Sequence, residues 1–189
     1  MSKRHLSKWK VRGERELLDA SPFLKVSAQR IELPDGRIVE NFYQLALPDF
    51  ASIFAETEEG RILVLRAYRH GAKRVCLAAP GGHLAPGEAP LAAAKRELLE
   101  ETGYEAAAWQ PLGSFITNAN HRCQTAHFFR ASGCRRVAAA DSGDLEEAEL
   151  VLMSCAQAIA AFKRGEFPFM SQVALFGLAF GAALGGSGA

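Results

Sequence analysis

The first half of the chain is dominated by short runs in which apolar and polar residues alternate, broken by turn-forming clusters; helical periodicity appears only later. Residues 26–33 and 37–47 flank Pro34-Asp35-Gly36, which predicts a β-hairpin inside a β section covering residues 1 to about 45. A second hairpin is predicted from residues 51–55 and 61–66 across Glu58-Glu59-Gly60. The apolar run 75–79 ends at Pro80-Gly81-Gly82, where neither a helix nor a regular strand is expected to continue. The strongest helix signal spans residues 90–102: Pro90 suits the first turn and Gly103 the left-handed position beyond the last. Leu91, Ala94 and Leu98 recur at i, i+3 and i+7, so they are expected to form its buried stripe. Further strands are predicted at 109–117, 124–131 and 148–154, and a second helix at 155–164 that stops at Gly165. Mixed strands with few helices point to an α+β fold, a curved mixed sheet with helices packed on its faces.

From Phe167 onward the chain carries no charge, and residues 173–184 are strongly apolar. Ser171, Gln172, Gly177 and Gly181 interrupt or dilute this run, which falls short of the roughly 20 residues a bilayer requires. A buried or interface helix with Ser171 as N-cap is expected instead. The basic start has no apolar stretch of the secretory kind. Cys76, Cys123, Cys134 and Cys155 form no C-x-x-C pair, so buried free thiols in a reducing cytoplasm are expected. Twenty-two basic residues against 21 acidic ones give no electrostatic footprint for nucleic acid. Any anionic ligand is therefore held by local charge.

One segment changes the picture: Gly82-x5-Glu88-x7-Arg96-Glu97-Leu98-x-Glu100-Glu101-x-Gly103. On a helix, Glu97, Glu100 and Glu101 fall at i, i+3 and i+4, which gathers three carboxylates on one strip. Such a cluster repels itself, and a hard divalent cation bridging to phosphate oxygens would relieve the repulsion. The preceding glycine-rich loop allows close backbone approach, and Arg96 is placed to pair with Glu88 or a neighbouring carboxylate.

This segment resembles the signature of the Nudix hydrolases at every fixed position, Tyr104 standing where an aliphatic residue is common. The resemblance implies a strand–loop–helix–loop in an α/β/α sandwich and Mg2+- or Mn2+-dependent hydrolysis of a nucleoside diphosphate linked to another moiety. By position it implies that Glu97, Glu100 and Glu101 are metal ligands, with a backbone carbonyl of Gly81 or Gly82 as a further one, and that Glu88, Arg96 and Gly103 support the site. The β section before the box, the run Val64-Leu65-Arg66-Ala67-Tyr68-Arg69 and the helices after Gly165 are similar to the ADP-ribose and nucleotide-sugar pyrophosphatase branch, which points to Arg69 as a substrate contact. Two departures stand out. That branch usually has a glutamate shortly before the glycines, where this chain reads Ala78-Ala79-Pro80, and ADP-ribose enzymes often have a proline where it reads 117–122.

In that branch the general base often lies in a late loop, and the resemblance points to the acidic loop 141–147 here, with Glu146 and Glu147 first, Asp144 behind them, and Glu100 as a further candidate. His83 and Arg122 are candidate ligand contacts, Asn118, Asn120 and His121 flank Arg122, and Trp109 is expected to pack in the core while Trp9 is a candidate for base stacking. The chain is expected to divide into residues 1–47 and 48–189 and to form a homodimer through the N-terminal β section and the C-terminal helix. A house-cleaning hydrolase of nucleoside triphosphates or dinucleotides is the alternative enzyme, and a non-catalytic nucleotide sensor the alternative class.

Overall fold

The computed structural model of the protein describes residues 7–141, 143 and 147–185. Among them the elements run β1 (Lys10–Ala20), β2 (Leu24–Glu32), β3 (Ile38–Ala46), β4 (Phe50–Thr57), β5 (Ile62–Arg69), β6 (Arg74–Ala78), β7 (Gly81–His83), α1 (Pro90–Thr102), β8 (Tyr104–Asn118), β9 (Arg122–Arg136), β10 (Ala148–Met153), α2 (Cys155–Lys163) and α3 (Met170–Gly185). They fall into two compact units, one of Met1–Pro48 with Ile116–Thr125, the other of Asp49–Phe115 with Ala126–Ala189.

In the first unit β1, β2 and β3 form an antiparallel meander. Leu33 and Gly36 close the expected turn, with the Gly36 N–H donating to the Leu33 carbonyl at 2.9 Å. The inserted piece adds the start of β9, where Leu45 and Ala46 pair in parallel with Arg122 and Cys123. Trp9 meets the Phe42 ring edge-on at 5.7 Å.

The second unit is a sheet between two helical layers. β4 pairs in parallel with β9, antiparallel with β7, and with β5 beside the turn, while β5 pairs antiparallel with β6 and β10. Strand alternation sorts the core into two clusters. Ala51, Ile53, Ala55, Leu63, Phe129 and Ala131 pack with Ala93, Ala94 and Leu98 of α1. Phe54, Ile62, Val64, Ala126 and Phe128 pack with Ala158, Ala161, Leu175 and Phe176 of α2 and α3. The expected α+β fold, a mixed sheet with helices on both faces and β strands ahead of it, is what the chain forms.

α3 is a packed helix: Leu175, Phe176 and Ala179 are buried, and no helix among the described residues is long and apolar enough to cross a membrane. Phe176 meets Phe54 at 5.2 Å and Phe162 at 4.8 Å, both edge-on, the arrangement aromatic quadrupoles favour. Trp109 packs edge-on against Phe129 at 6.4 Å, as expected for a core tryptophan.

Four expectations need correction. Leu91 is 39% exposed in the first turn of α1, whose buried residues are Ala93, Ala94, Leu98 and Thr102. Ser171 is inside α3 rather than at its cap; the Phe169 carbonyl accepts the N–H groups of Gln172 and Val173. Gly81–His83 is not a loop but a short strand laid against β4, since backbone pairing needs no side chain. Of the four free thiols only Cys76 and Cys134 are buried, Cys123 being half-buried and Cys155 exposed.

Candidate active site

The second unit builds its site where β7 meets α1. α1 begins with Pro90 after Ala89, which supplies no side-chain cap. It ends at Gly103, whose φ of 73° lets its N–H reach the Leu99 carbonyl. The Gly103 carbonyl accepts from Val137 at 2.8 Å, and the Glu100 carbonyl accepts the Asp141 N–H at 2.8 Å. Asp141, the first residue of the acidic stretch, is thus tied to the last turn of α1.

Arg96 organises the carboxylates. Its Nε and Nη2 grip Glu88 Oε1 and Oε2, both at 3.0 Å, a two-pronged pair. Nη1 donates to Glu97 at 2.8 Å and to Glu100 at 2.9 Å, and Nη2 also reaches the His83 carbonyl at 3.1 Å. Glu88 takes a further bond from the Ala85 N–H at 2.8 Å. The Arg96 guanidinium, and then the Ala85 amide, hold the Glu88 carboxyl below its ordinary range. In return the carboxylates, Glu88 foremost, raise the guanidinium's proton affinity further. The carboxylate cluster that looked self-repelling is therefore partly neutralised by the chain's own arginine, a residue eight positions from Glu88 and one helical turn from Glu100.

The two glycines serve different purposes. Gly81 donates its N–H to Glu101 Oε2 at 2.7 Å. It has a φ of 148°, and a Cβ there would collide with the Ala51 carbonyl oxygen of β4. At Gly82 a Cβ would instead strike the Glu97 carboxylate. Glu97 and Glu101 are thus both brought to the β7 backbone, one by contact and one by a hydrogen bond. Glu97 is 13% exposed and Glu100 40%.

The remaining candidates are placed as follows. Arg69 ends β5, half-buried; alternation from Leu63 puts it on the α1 face. Ala148 pairs with Ala67, so the exposed Glu147 sits at the same end of that ladder as Arg69. His83 is exposed and pairs with Phe50. Asp144 and Glu146 lie outside the described residues. Arg122 belongs to the first unit, where with Lys25, Glu14 and Gln44 it lines a cavity of about 460 Å3. Asn118 accepts the N–H groups of Asn120 and His121, as an ordinary turn residue does.

Sequence reasoning missed Gln172. This buried side chain accepts the Ala79 N–H at 2.7 Å, one residue before the Pro80-Gly81 corner, and its amide reaches Ser52 at 3.5 Å. A lone glutamine in an otherwise apolar helix was the available signal.

Among the described residues, no three Asp, Glu, His or Cys side chains form a ready-made cage for a metal ion. The donor set nonetheless suits a hard cation. Glu97 and Glu100 each place an oxygen within 2.9 Å of one positively charged atom, Nη1 of Arg96, so the two carboxylates already converge on a single cationic centre.

Residues 62% of the chain in extent align at 29% identity with an ADP-ribose pyrophosphatase of Bacillus subtilis (strain 168), spanning 63% of that protein. A CMP-5'-(N-acetyl-N-hydroxy-3-aminopropyl)phosphonate hydrolase of Streptomyces rubellomurinus is 35% identical over 60% of the chain and 57% of its own length. The chain thus spans about three-fifths of these two relatives. A crystal structure of an ADP compounds hydrolase superposes with a TM-score of 0.83 over 97% of this chain and 98% of that one, at 17% identity, a likeness of fold. The NUDIX domain matches residues 47–173, which include β7, α1 and all the box carboxylates, and the chain belongs to the NUDIX domain family.

Proposed function

We propose that this protein is a metal-dependent hydrolase that cleaves the diphosphate of a nucleoside diphosphate linked to another moiety, a nucleotide sugar or an ADP-ribose-like compound. The observation that carries the reading is the meeting of Glu97 and Glu101 with the β7 glycines, while Arg96 binds Glu97 and Glu100 together. Two relatives named for cleaving nucleotide derivatives with different attached groups support the class of substrate. Ala78-Ala79-Pro80 and the proline-free 117–122 segment favour an attached group other than that of ADP-ribose.

Glu97, Glu100 and Glu101 would hold Mg2+ or Mn2+, with a Gly81 or Gly82 carbonyl beside them. Bound there, the ion supplies neutralisation of the diphosphate and a more acidic water. The chain's own groups do the rest. Arg96 and Glu88 keep the carboxylates in register, Arg69 offers a planar fork to a phosphate, and His83 lies beside the glycines. Glu147, Glu146 or Glu100 takes the proton of the attacking water.

A second copy of the chain is the proposed partner. Val11, Leu18 and Phe23 of the first unit are 56%, 48% and 76% exposed, an apolar surface that association would cover. Light scattering should return twice the chain mass; a monomeric mass would refute the dimer.

The experiment for the function is a panel of ADP-ribose, sugar nucleotides, dinucleotides and nucleoside triphosphates, each incubated with Mg2+ and then with excess chelator. Release of a nucleoside monophosphate from at least one diphosphate-linked compound, abolished by the chelator, is expected. Activity confined to triphosphates would move the assignment to the house-cleaning class.

A further inference from the structure

A half-buried histidine that the box does not use stands on the same face of the sheet as the box. His127 of β9 lies opposite Ala51 of β4, and Ala51 lies opposite Gly82 of β7. Cross-strand partners share a face, and Ala51 belongs to the cluster under α1. His127 is therefore on the α1 face, two strand spacings or about 10 Å from Gly82, against which the Glu97 carboxylate packs.

Two neighbours fix the ring. The Ser114 hydroxyl of β8 lies 2.8 Å from Nδ1, and Asp49 Oδ2 lies 3.9 Å from Nε2. With Ser114 donating to Nδ1, the ring proton sits on Nε2 and faces Asp49. The gap of 3.9 Å is too long for a hydrogen bond. One atom can bridge it at a tight angle, and a small opening of the pair would relax that angle. A hydroxyl oxygen about 2.8 Å from each atom would accept from Nε2–H and donate to the carboxylate, using both of its capacities at once. A phosphate oxygen would satisfy the histidine but meet the Asp49 charge. The serine is no nucleophile of the triad kind: it sits on Nδ1, and the acid that should orient the ring is out of bonding range. Asp49 is itself held near the site, its carbonyl accepting the Leu84 N–H at 2.9 Å, just beyond β7. The His127 side chain is 16% exposed and that of Asp49 45%, so neither is sealed in the core.

We propose that Asp49 and His127 form a subsite for a hydroxyl group of the ligand's sugar portion, with Ser114 as the residue that positions the imidazole. This rests on the hydrolase reading above and narrows it: the group attached to the diphosphate, or the ribose next to it, is recognised as a polyol.

The subsite is tested by binding, which is separate from turnover. Ribose 5-phosphate, glucose 1-phosphate and inorganic phosphate are titrated into the wild-type chain, followed by calorimetry and by the ring-nitrogen resonances of His127. At least one sugar phosphate should bind about 10-fold more tightly than phosphate and shift His127 Nε2, as expected for hydrogen bonds that phosphate alone cannot make. Asp49→Asn, near-isosteric and partly exposed, should abolish that preference while phosphate binding changes less than about 2-fold. His127→Phe should do the same, His127→Gln should restore part of it, and Ser114→Ala should weaken it in a way Ser114→Thr does not. Equal affinity for the sugar phosphates and phosphate, or a preference that survives both Asp49→Asn and His127→Phe, overturns the proposal. A failed substrate panel with this preference intact would sink the hydrolase reading and leave the subsite standing.

Discussion

The two units of this chain are held together by different physics. In the second, apolar side chains fill both faces of the sheet: Ile53, Leu63, Val64, Leu98 and Leu175 are fully buried. Each such side chain contributes about 1.5–3 kcal/mol through burial. In the first, every residue of β1 is exposed, and among the described residues of β1 to β3 only Ala28 and Ile31 are buried hydrophobics. Its strands are laced instead by surface pairs such as Arg12–Glu32 at 2.6 Å, Lys25–Asp19 at 2.7 Å and Arg30–Glu40 at 3.0 Å. Exposed pairs of this kind are worth roughly 0–1 kcal/mol each. The candidate carboxylates sit on the well-buried unit, where a charge cluster can be held in fixed geometry. The thinly buried unit is the one with surface to offer a partner.

Substitutions can break this contrast. Phe176→Ala removes a ring that touches Phe54, Phe162, Phe167 and Phe180, and should lower the unfolding free energy by about 3–5 kcal/mol in denaturant titration. Gly81→Ala comes next, at roughly 2–4 kcal/mol, because its methyl group meets backbone rather than a side chain that can turn away. Gly82→Ala makes a useful contrast: the three atoms nearest its methyl all belong to the Glu97 carboxylate, a side chain that can turn away, so stability should fall by less than about 1 kcal/mol. Hydrolysis should nevertheless drop sharply, since the carboxylate is displaced. Arg12→Ala in the first unit should cost no more than about 1 kcal/mol, and added salt should erase the difference.

Acid offers a finer probe. The Glu88 carboxyl is held below its ordinary range by Arg96, so its contribution is complete above the usual glutamate value of about 4.3 and fades only as pH falls through the lower folded-state value. Melting curves of the wild type and Glu88→Gln should therefore differ at neutral pH, draw together as pH falls below the usual glutamate value, and coincide once Glu88 is itself protonated in the fold. A gap that persists there would show that the pair with Arg96 is not what stabilises Glu88.

Much of this was legible in the sequence, for identifiable reasons. α1 was bounded correctly because Pro90 and Gly103 act on the backbone itself, independently of tertiary context. The turn at Pro34-Asp35-Gly36 was legible for the same reason. Leu91 was misplaced because periodicity gives the direction of a stripe but not which of its turns are covered. β7 was invisible because a three-residue strand containing two glycines pairs through backbone alone. At the site, the box carboxylates were readable from local spacing, whereas the Asp49, Ser114 and His127 group was not. Its members are 13 and 78 positions from His127 and meet only through strand pairing.

The central claim is that Glu97, Glu100 and Glu101 act together, through a bound divalent cation, on a diphosphate. Its most direct test is steady-state hydrolysis of the best panel substrate by the wild type and by Glu101→Gln over a range of Mg2+ concentrations, with melting curves to confirm that both are folded. The account predicts Mg2+-dependent turnover in the wild type and a loss of at least about 100-fold in the folded variant, the scale of losing a group that acts on the transition state. Wild-type turnover in Glu101→Gln, at any Mg2+ concentration, would contradict it.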